Sequence, residues 1–342
     1  VTGSDALPWL LEPENPSARY LALTRLLDRP EDLPEVSAVR AAIPGWGPAR
    51  AILDAQWPEG YWMRPGVGYS PKHKATVWQV IFLAALGAPC TGQVERACDY
   101  VLDHSRLSDG RFSGFKHGRG AFACLNGGLL RAMFQLGHRD ERLGESIEAL
   151  AVMVARDRFC CRNRTPGPSG GTPPARMKDG LPCAWGAIKA LGAFAEVPEA
   201  GRSPAVRTAI EAGVELLLGD GRAGLRTVLA ATDDPAGTEP SPLWLRFGFP
   251  LGASSDLLEA LDVLWRAAPS AVPGPDRARD LALAVAAETI LAKRGAGGRW
   301  ALDYTPDNTW ARFGVRGQPN KWVTIRALRA LKGWGELGPS RR

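Results

Sequence analysis

Two kinds of helical pattern alternate along this chain: stretches with one polar face, and stretches apolar nearly all round. The spacing predicts polar-faced helices over 36–43, 48–56, 93–104, 139–156, 204–218 and 276–293. Between them, 76–86, 122–136, 183–196, 251–267 and 321–334 read as apolar helices. The stripe over 16–28 (PSARYLALTRLLD) matches that of the last helix, so it joins the apolar set and brings it to six. A helix apolar on all sides must be surrounded by protein, whereas a polar-faced one meets water on one side. An inner ring of parallel helices wrapped by an outer ring satisfies both. Period-two segments are few, and Ala, Leu and Arg dominate, so the chain is all-α.

A turn signature recurs with the helices. Gln56-x3-Gly60-x-Trp62 precedes the first apolar helix, and Gly110-Arg111-Phe112 precedes the second. The gap from the turn glycine to the helix-ending leucine is 26 residues in both, Gly60 to Leu86 and Gly110 to Leu136. Gly298-Arg299-Trp300 precedes the last helix at a looser spacing. A unit of about fifty residues that cannot bury its own apolar face predicts a stacked or closed array. The expectation is an α/α toroid of about six helical hairpins, one domain over 1–342. Residues 1–47 complete the ring, and 48–336 carry the hairpins.

Composition narrows the partners. Hydrophobic content of 45% and twelve Trp supply ample core. The net charge of +6 is spread along the chain without a basic run, which gives no support to nucleic acid. No apolar run approaches the ~20 residues that a membrane span needs. The first residues lack a basic stretch followed by an apolar one, and six cysteines are too sparse for a disulfide scaffold. A reducing, cytoplasmic location is expected.

The Gln56-x3-Gly60-x-Trp62 turn, its echoes at Gly110 and Gly298, and the alternating helices resemble the terpene cyclase and protein prenyltransferase superfamily of α/α toroids, from about residue 48 onward. That resemblance implies an enzyme acting on an isoprenoid or similarly apolar substrate in a central cavity, and a structural role for Gln56, Trp62, Phe112 and Trp300. The chain departs from the family patterns. Where squalene-type cyclases carry Asp-x-Asp-Asp, it has Ala231-Thr232-Asp233-Asp234, without the first aspartate and in a loop. Lys178-Asp179-Gly180, with Cys183 following, is loosely similar to the zinc site of protein prenyltransferases. Lys116-His117-Gly118 is faintly similar to the Cys-His-Gly element of lanthionine cyclases.

A toroid would gather several chemical groups at the mouth where the inner helices begin. Cys124 and Cys183 start consecutive apolar helices. Cys160 and Cys161 open the loop feeding the second of these, and His117 and Asp179 lie close in sequence. Cys124, Cys161 and Cys183 with His117 (or Asp179) would make a tetrahedral zinc set; the alternative is that these are small buried thiols. Tyr69, Trp78, Trp244, Phe249, Trp322 and Arg326 are candidates to line the substrate site, and Asp256 and His73 to act as acid and base. An apolar small molecule, with an anionic head in one version, is the expected partner. The competing expectation is that the aromatics pack between helices and the cations pair with Asp256 and Glu259. A lipid- or peptide-binding toroid without chemistry, and a lanthionine-cyclase-like zinc enzyme, stay open as alternatives. The long connections 160–178 and 219–245 read as lids or flaps over the same mouth.

Overall fold

A computed structural model describes residues 5–116, 120–157, 159, 182–219, 242–269 and 277–337. Among these, the chain is helical, with isolated bridges and no strand. The helices are α1 (Leu7–Leu10), α2 (Pro16–Arg25), α3 (Pro34–Ala42), α4 (Gly47–Asp54), α5 (Thr76–Ala85), α6 (Gly92–His104) and α7 (Ala123–Leu136). They continue with α8 (Arg142–Asp157), α9 (Ala184–Phe194), α10 (Pro204–Leu218), α11 (Leu257–Ala267), α12 (Arg277–Ala292) and α13 (Lys321–Leu337). No helix among the described residues is long and apolar enough to cross a membrane.

Local chemistry sets the boundaries. Asn15, Thr91 and Ser203 cap α2, α6 and α10 by accepting a backbone N–H three residues on, and Pro occupies the first turn of α2, α3, α4 and α10. Gly137, at φ 84°, ends α7. The apolar stretch from 251 was expected to be helical from its start, but α11 begins at Leu257. Asp256 stops it there: its extended backbone and its side chain, which accepts from the N–H of Glu259, make it the N-cap. The short α1 carried no periodic signal and was not anticipated.

The apolar helices pack in sequence. α5 lies against α7, α7 against α9, α9 against α11, α11 against α13, and α13 against α2. Ser17 of α2 closes the circuit. Its Oγ donates to the carbonyl of Leu86 just past α5 (2.6 Å) and accepts from Trp322 Nε1 of α13 (2.9 Å). The polar-faced helices pack on this set, α4 and α6 on α5, α8 on α7 and α9, α10 on α9, and α12 on α11 and α13.

The recurring turns lock each hairpin to its neighbour. The Trp62 indole N–H donates to Ile52 O at 2.8 Å, and the Trp300 indole to Ile290 O at 2.8 Å, each ten residues back on the preceding outer helix. The backbone N–H of the turn aromatic donates to a polar side chain in the first turns of the following inner helix. The pairs are Trp62 with Thr76 Oγ1 (3.1 Å), Phe112 with Asn126 Oδ1 (2.6 Å) and Trp300 with Thr324 Oγ1 (3.0 Å). Gln56 ties its own turn to α6 by donating to Gly60 O and Gln93 O. The third turn lies against the N-terminal segment. Arg299 lies over the Trp9 ring at 4.3 Å, and Arg294 pairs with Asp5.

Gly60 shows how tight this seam is. Its φ is +97°, and a Cβ there would lie 2.5 Å from the carbonyl oxygen of Arg96 in α6. Gly60→Ala should therefore destabilise the protein by about 2 kcal/mol. Gly45→Ala, at a glycine with nothing within 4 Å, should stay within about 0.5 kcal/mol. Urea unfolding of the two variants checks this; equal losses would contradict it.

Candidate functional site

Six apolar helices line a cavity: α2 (Leu21, Arg25), α5 (Ile81, Ala84, Ala85), α7 (Gly128, Arg131), α9 (Lys189), α11 (Leu258, Glu259, Asp262) and α13 (Trp322, Ile325, Arg326, Arg329). Phe249 and Leu251, from the loop before α11, complete the wall. The cavity has a volume of about 100 Å³. Small residues at Ala84, Ala85, Gly128 and Ala132 keep the α5 and α7 side low, while Phe249 stacks flat on Trp322, centroids 4.7 Å apart.

Charges face the middle of this cavity. Lys189 Nζ donates to both oxygens of Glu259 (2.9 and 2.8 Å), and Ser255 Oγ donates to Glu259 Oε2 at 2.7 Å. Arg131 reaches Glu259 at 2.9 Å, Asp262 at 3.4 Å and Glu196 at 3.7 Å. Arg266 pairs with Glu196 (2.9 Å) and Arg329 with Asp262 (2.6 Å). Burial alone would raise the Glu259 carboxyl, but Lys189, Arg131 and Arg326 outweigh it and hold the pKa below the ordinary glutamate value. Burial is likewise outweighed at Glu196 by Arg266 and Arg131, and at Asp262 by Arg329, Arg266 and Arg131. Burial pulls Lys189 down, with Glu259 opposing.

The sequence candidates divide around this geometry. Phe249, Trp322 and Arg326 line the cavity. Tyr69, Trp78 and Trp244 are not among its lining residues and pack between loops and helices instead. Trp78 donates to Tyr69 O at 2.7 Å, their rings lie 5.1 Å apart, and Trp244 packs on Trp185 at 6.0 Å. Asp256 is buried and fully engaged. It accepts from Arg326 Nη2 (2.6 Å) and Nη1 (2.9 Å) and from the N–H groups of Gly248 and Glu259 (3.1 and 3.0 Å). A carboxylate held this way serves as helix cap and ion-pair partner. His73 sits in the left-handed region (φ 68°), its Nδ1 3.3 Å from Asp307 O and its ring edge-on to Trp78. Burial, then Lys72, lowers its pKa. No hydrogen bond or ion pair among the described residues joins His73 to Asp256.

Near Tyr69 and Trp310, Gln79 of α5 donates to His73 O and Trp310 to Lys74 O, both at 2.9 Å. The lining residues of α2, α5 and α7 instead come from the later turns of those helices. Cys183 is the N-cap of α9, its Sγ accepting from Gly186 N–H at 3.4 Å, and Cys124 lies in the first turn of α7. These helices pack together, and a Cβ on Gly186 would come 3.2 Å from Ala123. His117, Cys160, Cys161, Asp179, Asp233 and Asp234, with most of the two long connections, lie outside the described residues.

Elsewhere, the donor atoms of Asp99, His138 and Asp140 fall within 4.8 Å of one another. Arg142 already grips Asp140 through Nε and Nη2, and these side-chain hydrogen bonds hold that carboxyl down to about 2. A guanidinium thus supplies the positive charge that a metal would bring.

The sequence reading missed Arg25, Arg131, Lys189, Asp262 and Arg329. The signal was a charge in the middle of helices assigned to the inside. Glu259 and Asp262, and likewise Arg326 and Arg329, are three residues apart, which puts each pair on one helix face.

No family model and no curated protein matches the chain. Among solved structures, it is similar to the type II terpene cyclase MstE from Scytonema. The apo form is 12% identical with a TM-score of 0.31, covering 84% of this chain and 96% of that one. A variant bound to its substrate, geranylgeranyl dihydroxybenzoate, is 14% identical with a TM-score of 0.32 (84% and 95% covered). A variant bound to its product, merosterolic acid A, is 13% identical with a TM-score of 0.30 (84% and 95% covered). These values are too low to assign a family or an activity, so function has to be argued from the site.

Glu196, Glu259 and Asp262 stay deprotonated in the folded chain at pH values where the unfolded chain takes up protons. Their contribution to stability should be full above about pH 5 and fall as the pH drops below the ordinary carboxylate range. Melting temperature measured from pH 7 to about pH 3 checks the sign; a rise on acidification would contradict it. At neutral pH, Lys189→Met, which strips Glu259 of its closest cation, should cost about 3 kcal/mol in urea unfolding.

Proposed function

We propose that residues 1–342 form one α/α toroid of about six helical hairpins, whose central cavity takes an apolar small molecule bearing an anionic head group. On this reading the protein is a terpene cyclase-like or prenyltransferase-like enzyme acting on an isoprenoid or similar substrate. The supporting observation is a cavity lined from six helices, with an aromatic and small-residue wall beside a cluster of cations. Such a lining suits a ligand that is apolar along its length and charged at one end. The body would lie along Ala84, Gly128 and Ala132 and against Phe249 and Trp322; the head would turn toward the guanidiniums.

For the chemistry, we propose the thiolate set at the starts of α7 and α9. Cys124 and Cys183, with Cys161 and His117, would hold zinc, and the packing of those helix starts supports this choice. Zinc would supply Lewis acidity or an activated water. Acid–base work by His73 and Asp256 is less well supported, given the bonds that occupy Asp256. A lipid-binding toroid without chemistry uses the same cavity, and a lanthionine-cyclase-like enzyme would use the same thiols on a Cys-containing peptide.

Quenching of tryptophan fluorescence by geranylgeraniol and by geranylgeranoic acid tests the cavity. The acid should bind about tenfold more tightly than the alcohol. Gly128→Leu, which fills the low wall, should abolish both while the chain stays folded; unchanged binding would overturn the assignment. Metal analysis of the purified protein tests the thiolate set. Zinc lost in a Cys124→Ser/Cys183→Ser variant supports it, and a metal-free protein removes it.

A further inference from the structure

The cavity carries more positive than negative charge. Arg25, Arg131, Lys189, Arg326 and Arg329 line it with Glu259 and Asp262, and the ion pairs among the described residues extend this set by Arg266, Glu196 and Asp256, six cations with four carboxylates. Asp256 is taken up by Arg326, and Lys189 shares Glu259 with Arg131. Glu196 serves Arg266, and Asp262 serves Arg329. Two positive charges are left over.

Arg25 is where the surplus shows. It closes α2 and lines the cavity, yet no hydrogen bond or ion pair among the described residues reaches its guanidinium. Burial and then the nearby Arg131 lower its pKa; Asp262 and Glu196 offset only part of this, and Arg266 adds to it. Arg329 is lowered too, by burial and by Arg25, Arg266 and Arg131, against the pull of Asp262. Like charges gathered in a half-enclosed space are unfavourable unless an anion joins them. Guanidinium forks from separate helices suit an oxyanion, whose several oxygens can each accept a pair of N–H groups.

We infer that this end of the cavity is a binding site for a dianionic oxyanion head, a phosphate monoester or a close pair of carboxylates, held by Arg25, Arg131 and Arg329. The inference rests on the proposal that the cavity is the ligand site, and it fixes the ligand's direction. The charged end lies by the last turn of α2 and the later turns of α7, and the apolar end lies toward Phe249 and Trp322. Arg25 is the residue committed to the ligand, because the other two guanidiniums already serve the protein's own carboxylates.

Inorganic phosphate, succinate and acetate, each compared with sodium chloride at matched ionic strength, provide the test by isothermal titration and thermal melting. Phosphate or succinate should bind and raise the melting temperature of the wild type, with acetate giving little. Arg25→Leu should weaken the dianion about tenfold and, without ligand, should melt at or above the wild-type temperature, since it removes a repelled charge and no internal bond. The stabilisation that phosphate still gives this variant measures generic exclusion from the surface. Which of phosphate or succinate binds more tightly identifies the head. Equal binding of acetate and phosphate, or an Arg25→Leu variant that melts lower and binds phosphate as before, would overturn the inference. Geranylgeraniol, which has no charge, separates the two claims: its binding to Arg25→Leu without any phosphate effect leaves the cavity assignment standing and removes only the anion site.

Discussion

A charge carried into the interior must find its opposite there, because an ion left alone away from water costs several kcal/mol. That requirement shapes the centre of this protein. α7, α9, α11 and α13 are apolar helices, yet each brings at least one charged residue: Arg131, Lys189, Glu259 and Asp262, and Arg326 and Arg329. Arg131 meets Glu196, just past the end of the adjacent α9, at 3.7 Å. It reaches past that helix to Glu259 and Asp262 of α11. Such a contact exists only if the helices face a common centre. The network adds little net stability for its desolvation cost; its consequence is to fix which face of each helix turns inward.

The rim does a different job. Wherever a turn aromatic meets an inner helix, its N–H is taken by Thr76, Asn126 or Thr324, and two of the three turns also hang an indole on the outer helix behind. Positive-φ glycines let the turns approach the neighbouring outer helix closely, α6 at Gly60 and α8 at Gly110. The N-terminal segment packs against the turn at Gly298, and Ser17 bonds to both α13 and the residue after α5. The seam at the chain ends is thus held by specific bonds, while the centre is left open enough for a cavity.

Much of the helical frame was legible because it depends on periodicity and punctuation. α10 matches its predicted span of 204–218, and the turn at Gly60 was readable from spacing alone. The start of α11 was not, since an apolar run from Leu251 hides the capping role of Asp256. The site was read less well, for a physical reason. Thiols and aromatics cluster at the helix starts, and of those aromatics Phe249 and Trp322 reach the cavity while Tyr69, Trp78 and Trp244 pack elsewhere; the rest of the polar lining is charges from within the helices. Arg326, expected to line the site or else to pair with Asp256, lines the cavity and pairs with Asp256 at the same time. Which carboxylate pairs with which cation is hard to read from one chain, because the partners lie on different helices, 70 residues apart for Lys189 and Glu259 and 128 for Arg131 and Glu259.

A double-mutant cycle between Arg131 and Glu259 reaches the centre directly. The residues belong to α7 and α11, which α9 separates, and their side chains meet at 2.9 Å. Unfolding free energies of Arg131→Met, Glu259→Gln and the double variant should give a coupling of about 2 kcal/mol. A coupling indistinguishable from zero would mean that the two helices do not face each other across the cavity, and would contradict this account.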